Sequence, residues 1–167
     1  GFVAFAPDAL SPLGGHPGER AAAQQLMGQL DPEERIQDFI AAVNFLRTHS
    51  LTTGRVGTVG FCWGGGMTNR LAVALGSDLD AGVPFYGAAA ASGDVSQIEA
   101  SLMIIYAGTD PRINSMWPEY EAALKANGIA YEMHVFEGTL HGFHNNSTPR
   151  YNEAGAALAW NQTVGFF

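Results

Sequence analysis

Compact apolar runs alternate along this chain with segments of helical period. Residues 2–6, 55–60, 81–86, 102–107 and 131–136 are each short and mostly apolar, and each is bounded by Gly, Pro, Asp or a polar turn. Runs of that length without polar alternation predict strands buried on both faces. Between them, Asp31-Pro32-Glu33-Glu34 is a helix start: Asp31 can cap, Pro32 suits the first helical position, and Glu34 completes a capping-box-like pattern. Behind it Ile36, Phe39, Ile40, Val43 and Leu46 share one helical face, so the helix should run to about residue 48. Further helices are expected at 64–75, from Pro118 to Ala126, at 150–167 and, more weakly marked, at 21–29. Asn127-Gly128 closes the helix that begins at Pro118, and the Gly- and Pro-rich segment 11–19 reads as loop.

Strands alternating with helices imply an α/β fold, with about five mostly parallel strands and helices on both faces, in a single domain over residues 1–167. In such sheets, ligands bind at the carboxyl ends of the strands. Three chemically capable residues fall just past predicted strands: Cys62 after V-G-T-V-G, Asp110 after L-M-I-I-Y-A-G-T and His141 after M-H-V-F-E-G-T-L. The order nucleophile, acid, histidine is that of α/β-hydrolases.

Cys62, the only cysteine, sits in Gly60-Phe61-Cys62-Trp63-Gly64, which fits the nucleophile elbow G-x-[nucleophile]-x-G. There the chain turns so sharply from strand to helix that the nucleophile is strained and side chains at both glycines are expected to collide with backbone. A thiol at a helix N-terminus has its thiolate favoured by the aligned amides. His141 would take the proton, Asp110 would fix the histidine tautomer, and the Trp63 backbone N–H would be one oxyanion donor. Each group has a plainer reading. A buried cysteine is usually a small hydrophobe, Asp110 before Pro111 can simply cap a helical turn, and His16, His49, His134 and His144 compete with His141. His49 is expected to be solvated and His134 to pack. A zinc reading of His141 and His144 lacks further ligands at sensible spacing, so no metal and no cofactor is expected.

Charge narrows the partners. The net charge is −8, with a pI near 4.9, so the surface repels phosphate backbones and nucleic acid is not expected. No apolar run approaches the ~20 residues needed to span a bilayer, and no membrane association is expected. One cysteine leaves the compartment open between cytosol and periplasm; cytoplasm is the preferred expectation.

Taken together, G-F-V-A-F-A-P-D at 1–8, G-R-V-G-T-V-G-F-C-W-G-G at 54–65, Y-A-G-T-D at 106–110 and E-G-T-L-H-G-F at 137–143 resemble the dienelactone hydrolase family, carboxymethylenebutenolidase-like α/β-hydrolases. The resemblance covers nearly the whole chain. It implies a Cys-His-Asp triad of Cys62, His141 and Asp110 that opens lactones or cleaves esters. It also implies strands ahead of residue 2, one of them lying between the strands at 2–6 and 55–60, together with a loop that supplies a second oxyanion donor and a glutamate. Their absence from the sequence reads as a truncated fold, in a fragment or processed chain, and the open sheet edge suggests a homodimer.

The arginines with which the family's best-known members grip a substrate carboxylate do not match: Ala9, Leu10, Ser11 and Pro12 follow Pro7-Asp8, and Gly142, Phe143, His144, Asn145 and Asn146 follow His141. A neutral or differently charged ester, thioester or lactone is therefore expected, in a pocket lined by Trp63, Tyr86, Trp117, Phe143 and His144. The alternatives are a weak or inactive scaffold that lacks part of its oxyanion hole, and a redox or binding module built on the Cys62 thiol.

Overall fold

A computed structural model describes all residues, 1–167. The chain divides into two compact units, residues 1–55 and 56–167.

The first unit is helical. It holds a short 3-10 turn (Ser11–Leu13), α1 (Arg20–Met27) and α2 (Pro32–Thr48). The start of α2 forms as its sequence dictates: the Asp31 carboxylate accepts the N–H groups of Glu33 and Glu34 at 2.7 and 3.1 Å, with Pro32 in the first turn. These bonds favour the ionised carboxyl and hold its pKa down. The predicted strand at 2–6 is not formed. Residues 2–6 lack ladder pairing, and Phe2, Val3 and Phe5 are exposed. The reason is that apolar character does not make a strand; a hydrogen-bonding neighbour does. Phe5 packs instead on Phe45 of α2, with ring centroids 5.5 Å apart.

The second unit is a four-stranded parallel sheet in the order β1-β2-β3-β4, not the expected five strands. Its elements are β1 (Gly57–Phe61), α3 (Trp63–Leu75), β2 (Ala81–Phe85), β3 (Ser101–Thr109), α4 (Pro111–Asn114), α5 (Trp117–Ala126), β4 (Tyr131–Leu140) and α6 (Glu153–Phe166). β3 is central and the most apolar, and Leu102 to Ala107 are all buried. Alternate residues of β3 feed two cores. Leu102, Ile104 and Tyr106 pack with Ala72 of α3, Ile113 of α4, and Tyr120 and Leu124 of α5. Met103, Ile105 and Ala107 pack with Phe85, Phe136, Phe143 and Ala159 of α6. Helices therefore cover both faces, as the unbroken apolar strands require. No helix is long and apolar enough to cross a membrane.

Two features shape the carboxyl edge of the sheet. Between β3 and β4 the register shifts: Ala107 pairs with Phe136, but Thr109 pairs with Leu140, so β4 carries two extra residues around Gly138, which has φ +71°. Such a bulge re-aims the end of a strand. A buried polar link also holds the segment after β2: Asn69 of α3 donates to the Ala88 carbonyl at 2.7 Å and accepts the Tyr120 hydroxyl at 3.1 Å.

Candidate active site

Cys62 is the hinge residue between β1 and α3, with φ +57° and ψ −113°. A positive φ costs a non-glycine residue about 1–3 kcal/mol. Bonds on either side hold it there: the Cys62 N–H donates to the Phe85 carbonyl at 3.0 Å, and its own carbonyl accepts the Gly66 N–H at 3.2 Å. A Cβ at Gly60 would lie 2.0 Å from the Gly64 carbonyl oxygen, so only glycine fits. The other motif glycine behaves differently. A Cβ at Gly64 would meet nothing within 4 Å, which corrects the expectation of a collision there. The tight contact has moved one residue on, to Gly65, where a Cβ would lie 2.5 Å from the Phe85 carbonyl oxygen and 2.9 Å from Gly87 Cα. Glycine at 65 and 87 lets α3 sit against the end of β2. Neither Gly65 nor Gly87 belongs to the G-x-C-x-G pattern, so the motif marks neither.

β4 lies three strand spacings from β1, roughly 14 Å, yet His141 reaches Cys62. Its Nε2 lies 3.0 Å from Cys62 Sγ and its Nδ1 lies 2.5 Å from Asp110 Oδ2. The bulged end of β4 carries the chain back across the strand ends. With Nδ1–H donated to the carboxylate, the neutral ring turns its Nε2 lone pair toward the thiol. Asp110 is buried, follows β3 directly, and its Oδ1 accepts the Ile113 N–H at 3.4 Å as the cap of α4. Capping and contact with histidine, weighed as alternatives from sequence, coexist because a carboxylate has two oxygens. A chain from carboxylate through imidazole to thiol is the connectivity that proton withdrawal from a nucleophile needs.

The five expected pocket aromatics separate. Tyr86 lies beside the site, its ring 4.9 Å from the His141 ring. It is the one other non-glycine residue with positive φ, +36°. Burial first, and then the neighbouring Cys62, push its phenol up to about 12, against the pull of the His144 backbone N–H and Arg150. Phe143 is fully buried and stacks on Phe136, so it supports the site from the core. His144 packs against Phe61, Phe85 and Trp160, with centroids 4.8, 5.4 and 5.8 Å away, and burial holds its pKa below the usual imidazole range. Trp63 is exposed beside Cys62 at the first position of α3. Trp117 is not brought to the three groups. Its ring packs among Tyr106, Tyr120 and Tyr131, because the start of α5 lies over the sheet face opposite α6. A cavity of about 600 Å³ between β4 and α6 is lined by His134, Phe136, Leu158 and Gln162 among others and touches none of Cys62, Asp110 or His141. Side-chain geometry, not concavity, locates the chemistry.

Comparison with known proteins agrees with this architecture. The model of the dienelactone hydrolase family matches residues 1–167. Protein usf of Aquifex pyrophilus is 33% identical over 177 residues, covering 100% of this chain and 74% of that protein. A probable 2-oxo-3-(5-oxofuran-2-ylidene)propanoate lactonase from Bradyrhizobium sp is 29% identical over 178 residues, 98% of this chain and 71% of that one. Among solved structures, that of a putative dienelactone hydrolase from Klebsiella pneumoniae superposes with a TM-score of 0.77 at 21% identity, covering 92% of this chain and 68% of that one. With a family match over its whole length, an elbow at Cys62 and a parallel sheet beneath it, this chain belongs to the dienelactone hydrolase family, a family of hydrolases.

Proposed function

We propose that the chain hydrolyses a small ester, thioester or lactone with Cys62 as nucleophile, His141 as proton shuttle and Asp110 as the group that orients it. The observation that carries this reading is the unbroken path from Asp110 Oδ2 through His141 to Cys62 Sγ, at 2.5 and 3.0 Å, on a strained elbow. The lactonase name of one relative makes a lactone a natural member of the substrate class.

The steps rest on these residues. His141 Nε2 takes the thiol proton, and the thiolate attacks the acyl carbon to give a tetrahedral oxyanion. The Trp63 N–H, one of the first-turn amides of α3 that lack an intrahelical acceptor, donates to that oxyanion. The acyl C–O bond breaks, and its electron pair leaves on oxygen, which takes the proton from His141. In a lactone the departing oxygen stays tethered to the acyl group. Water, giving its proton to His141, then attacks the thioester; the acid departs and the thiol reforms. Asp110 keeps the Nδ1–H in place and stabilises the imidazolium in both halves.

Hydrolysis of p-nitrophenyl acetate tests this. A burst of p-nitrophenol stoichiometric with protein, abolished by Cys62→Ala and by iodoacetamide, is expected. Turnover retained in Cys62→Ala, or no turnover with the thiol intact, overturns the proposal.

A further inference from the structure

Tyr86 joins the two halves of the site from the end of β2. The carbonyl of Phe85, one residue before it, accepts the Cys62 N–H at 3.0 Å, and Gly87, one residue after it, lies against Gly65 of α3. The segment 85–87 therefore seats the nucleophile. Tyr86 also meets the histidine. Its ring lies 4.9 Å from the His141 ring and 5.5 Å from that of Phe143, and the backbone N–H of His144 donates to its phenol oxygen. Tyr86 is only 2% exposed, so it presents almost no surface to a substrate, and its share in the site is its contact with the histidine.

Tyr86 is held firmly. Its φ is +36°, a conformation that a residue with a side chain keeps only where its surroundings over-determine it. Its N–H donates to the Ile105 carbonyl of β3 at 2.6 Å. His141 has less to fix it. It follows the bulged end of β4 and precedes Gly142, at φ +84°. The backbone bonds from Phe143 to Leu140, from Asn145 to Gly142 and from Asn152 to Phe143 close within its own segment. The bond from Nδ1 to Asp110 Oδ2, at 2.5 Å, anchors one corner of the imidazole and leaves the ring free to swing about that corner. A swing carries Nε2 off the line to Cys62 Sγ, 3.0 Å away. A rigid ring packed beside the imidazole limits it. We propose that Tyr86 is a positioning residue for His141: its aromatic ring is the wall that keeps Nε2 aimed at Cys62. This rests on the reading of Cys62, His141 and Asp110 as a hydrolytic triad. No proton passes through the phenol, whose pKa burial pushes up to about 12, so it stays neutral near pH 7.

The test reads the imidazole itself. An Nδ1–H held by a carboxylate gives a proton resonance far downfield, identified here by its loss in His141→Ala. It should be sharp in the wild type, kept in Tyr86→Phe, which retains the ring, and broadened or lost in Tyr86→Leu, which has no flat ring. If Tyr86→Leu does not fold, Tyr86→Met, an adaptable filler of the same space, takes the same reading. Phe136→Leu removes a ring from the same core whose stacking partner is Phe143, not His141, and should keep the resonance. That variant separates positioning from a general loss of packing. With p-nitrophenyl acetate, kcat/KM should fall about 100-fold in Tyr86→Leu. In Tyr86→Phe, which loses one hydrogen bond, the fall should be no more than about fivefold. A resonance unchanged in Tyr86→Leu, absent from the wild type, or lost equally in Tyr86→Phe and Phe136→Leu overturns the assignment. If the wild type cleaves no ester, the hydrolase reading fails alone, and the resonance still decides whether Tyr86 holds His141.

Discussion

Asp110 meets His141 through one carboxylate oxygen, Oδ2 to Nδ1 at 2.5 Å, while its other oxygen accepts the Ile113 N–H at the start of α4. Asp110→Asn separates the two roles. The amide oxygen can still cap α4, so the thermal midpoint should move little. An amide placed against Nδ1 favours the wrong tautomer, and kcat on p-nitrophenyl acetate should fall about 10⁴-fold. An unchanged kcat would remove Asp110 from the mechanism.

The elbow glycines should not be equivalent. Gly60→Ala drives a Cβ to 2.0 Å from the Gly64 carbonyl oxygen and should cost about 3 kcal/mol or more. Gly64→Ala meets open space and should be neutral, or stabilising by about 0.5 kcal/mol through the unfolded chain. Urea midpoints decide this. Equal losses at the two positions would refute the packing argument.

His144 should make stability fall in mild acid. Packed among Phe61, Phe85 and Trp160, its folded pKa lies below the ordinary value of 6.5. Below that value the unfolded chain binds a proton that the folded site resists. Stability is therefore full above about pH 6.5 and declines as pH drops toward the depressed folded pKa. His144→Phe keeps the ring packing without a titrating group, and its urea midpoint should fall less between pH 7 and 5 than that of the wild type. Identical pH profiles would exclude His144 as the source.

We propose a homodimer on the basis of the sheet order, in which β1 pairs only with β2 and leaves one edge without a strand. Light scattering should give twice the monomer mass of 17.7 kDa. Monomer mass across a wide concentration range refutes it.

What could be read from the sequence was what short stretches decide alone. The cap at Asp31, the helical stripe behind it, the runs at 81–86, 102–107 and 131–136, and the G-x-C-x-G turn each carry their signal within a few residues, through dihedral preference, capping bonds or apolar period. β3 and β4 run longer than expected because pairing extended them beyond their apolar cores. The candidate site was legible to the extent that a parallel sheet gathers the ends of its strands, which drew Cys62, Asp110 and His141 to one edge. What no local pattern encodes is who stands beside whom. The run at 2–6 has strand character but no partner strand to bond. Trp117 is aromatic near the site in sequence but packs into the opposite face. Gly64 is open where its motif expects crowding, Gly87 is crowded where no motif pointed, and the Arg150 guanidinium lies against Gly142, eight residues away in the chain. Strand pairing and close backbone approach arise between segments distant in the chain. The tertiary structure alone decided them.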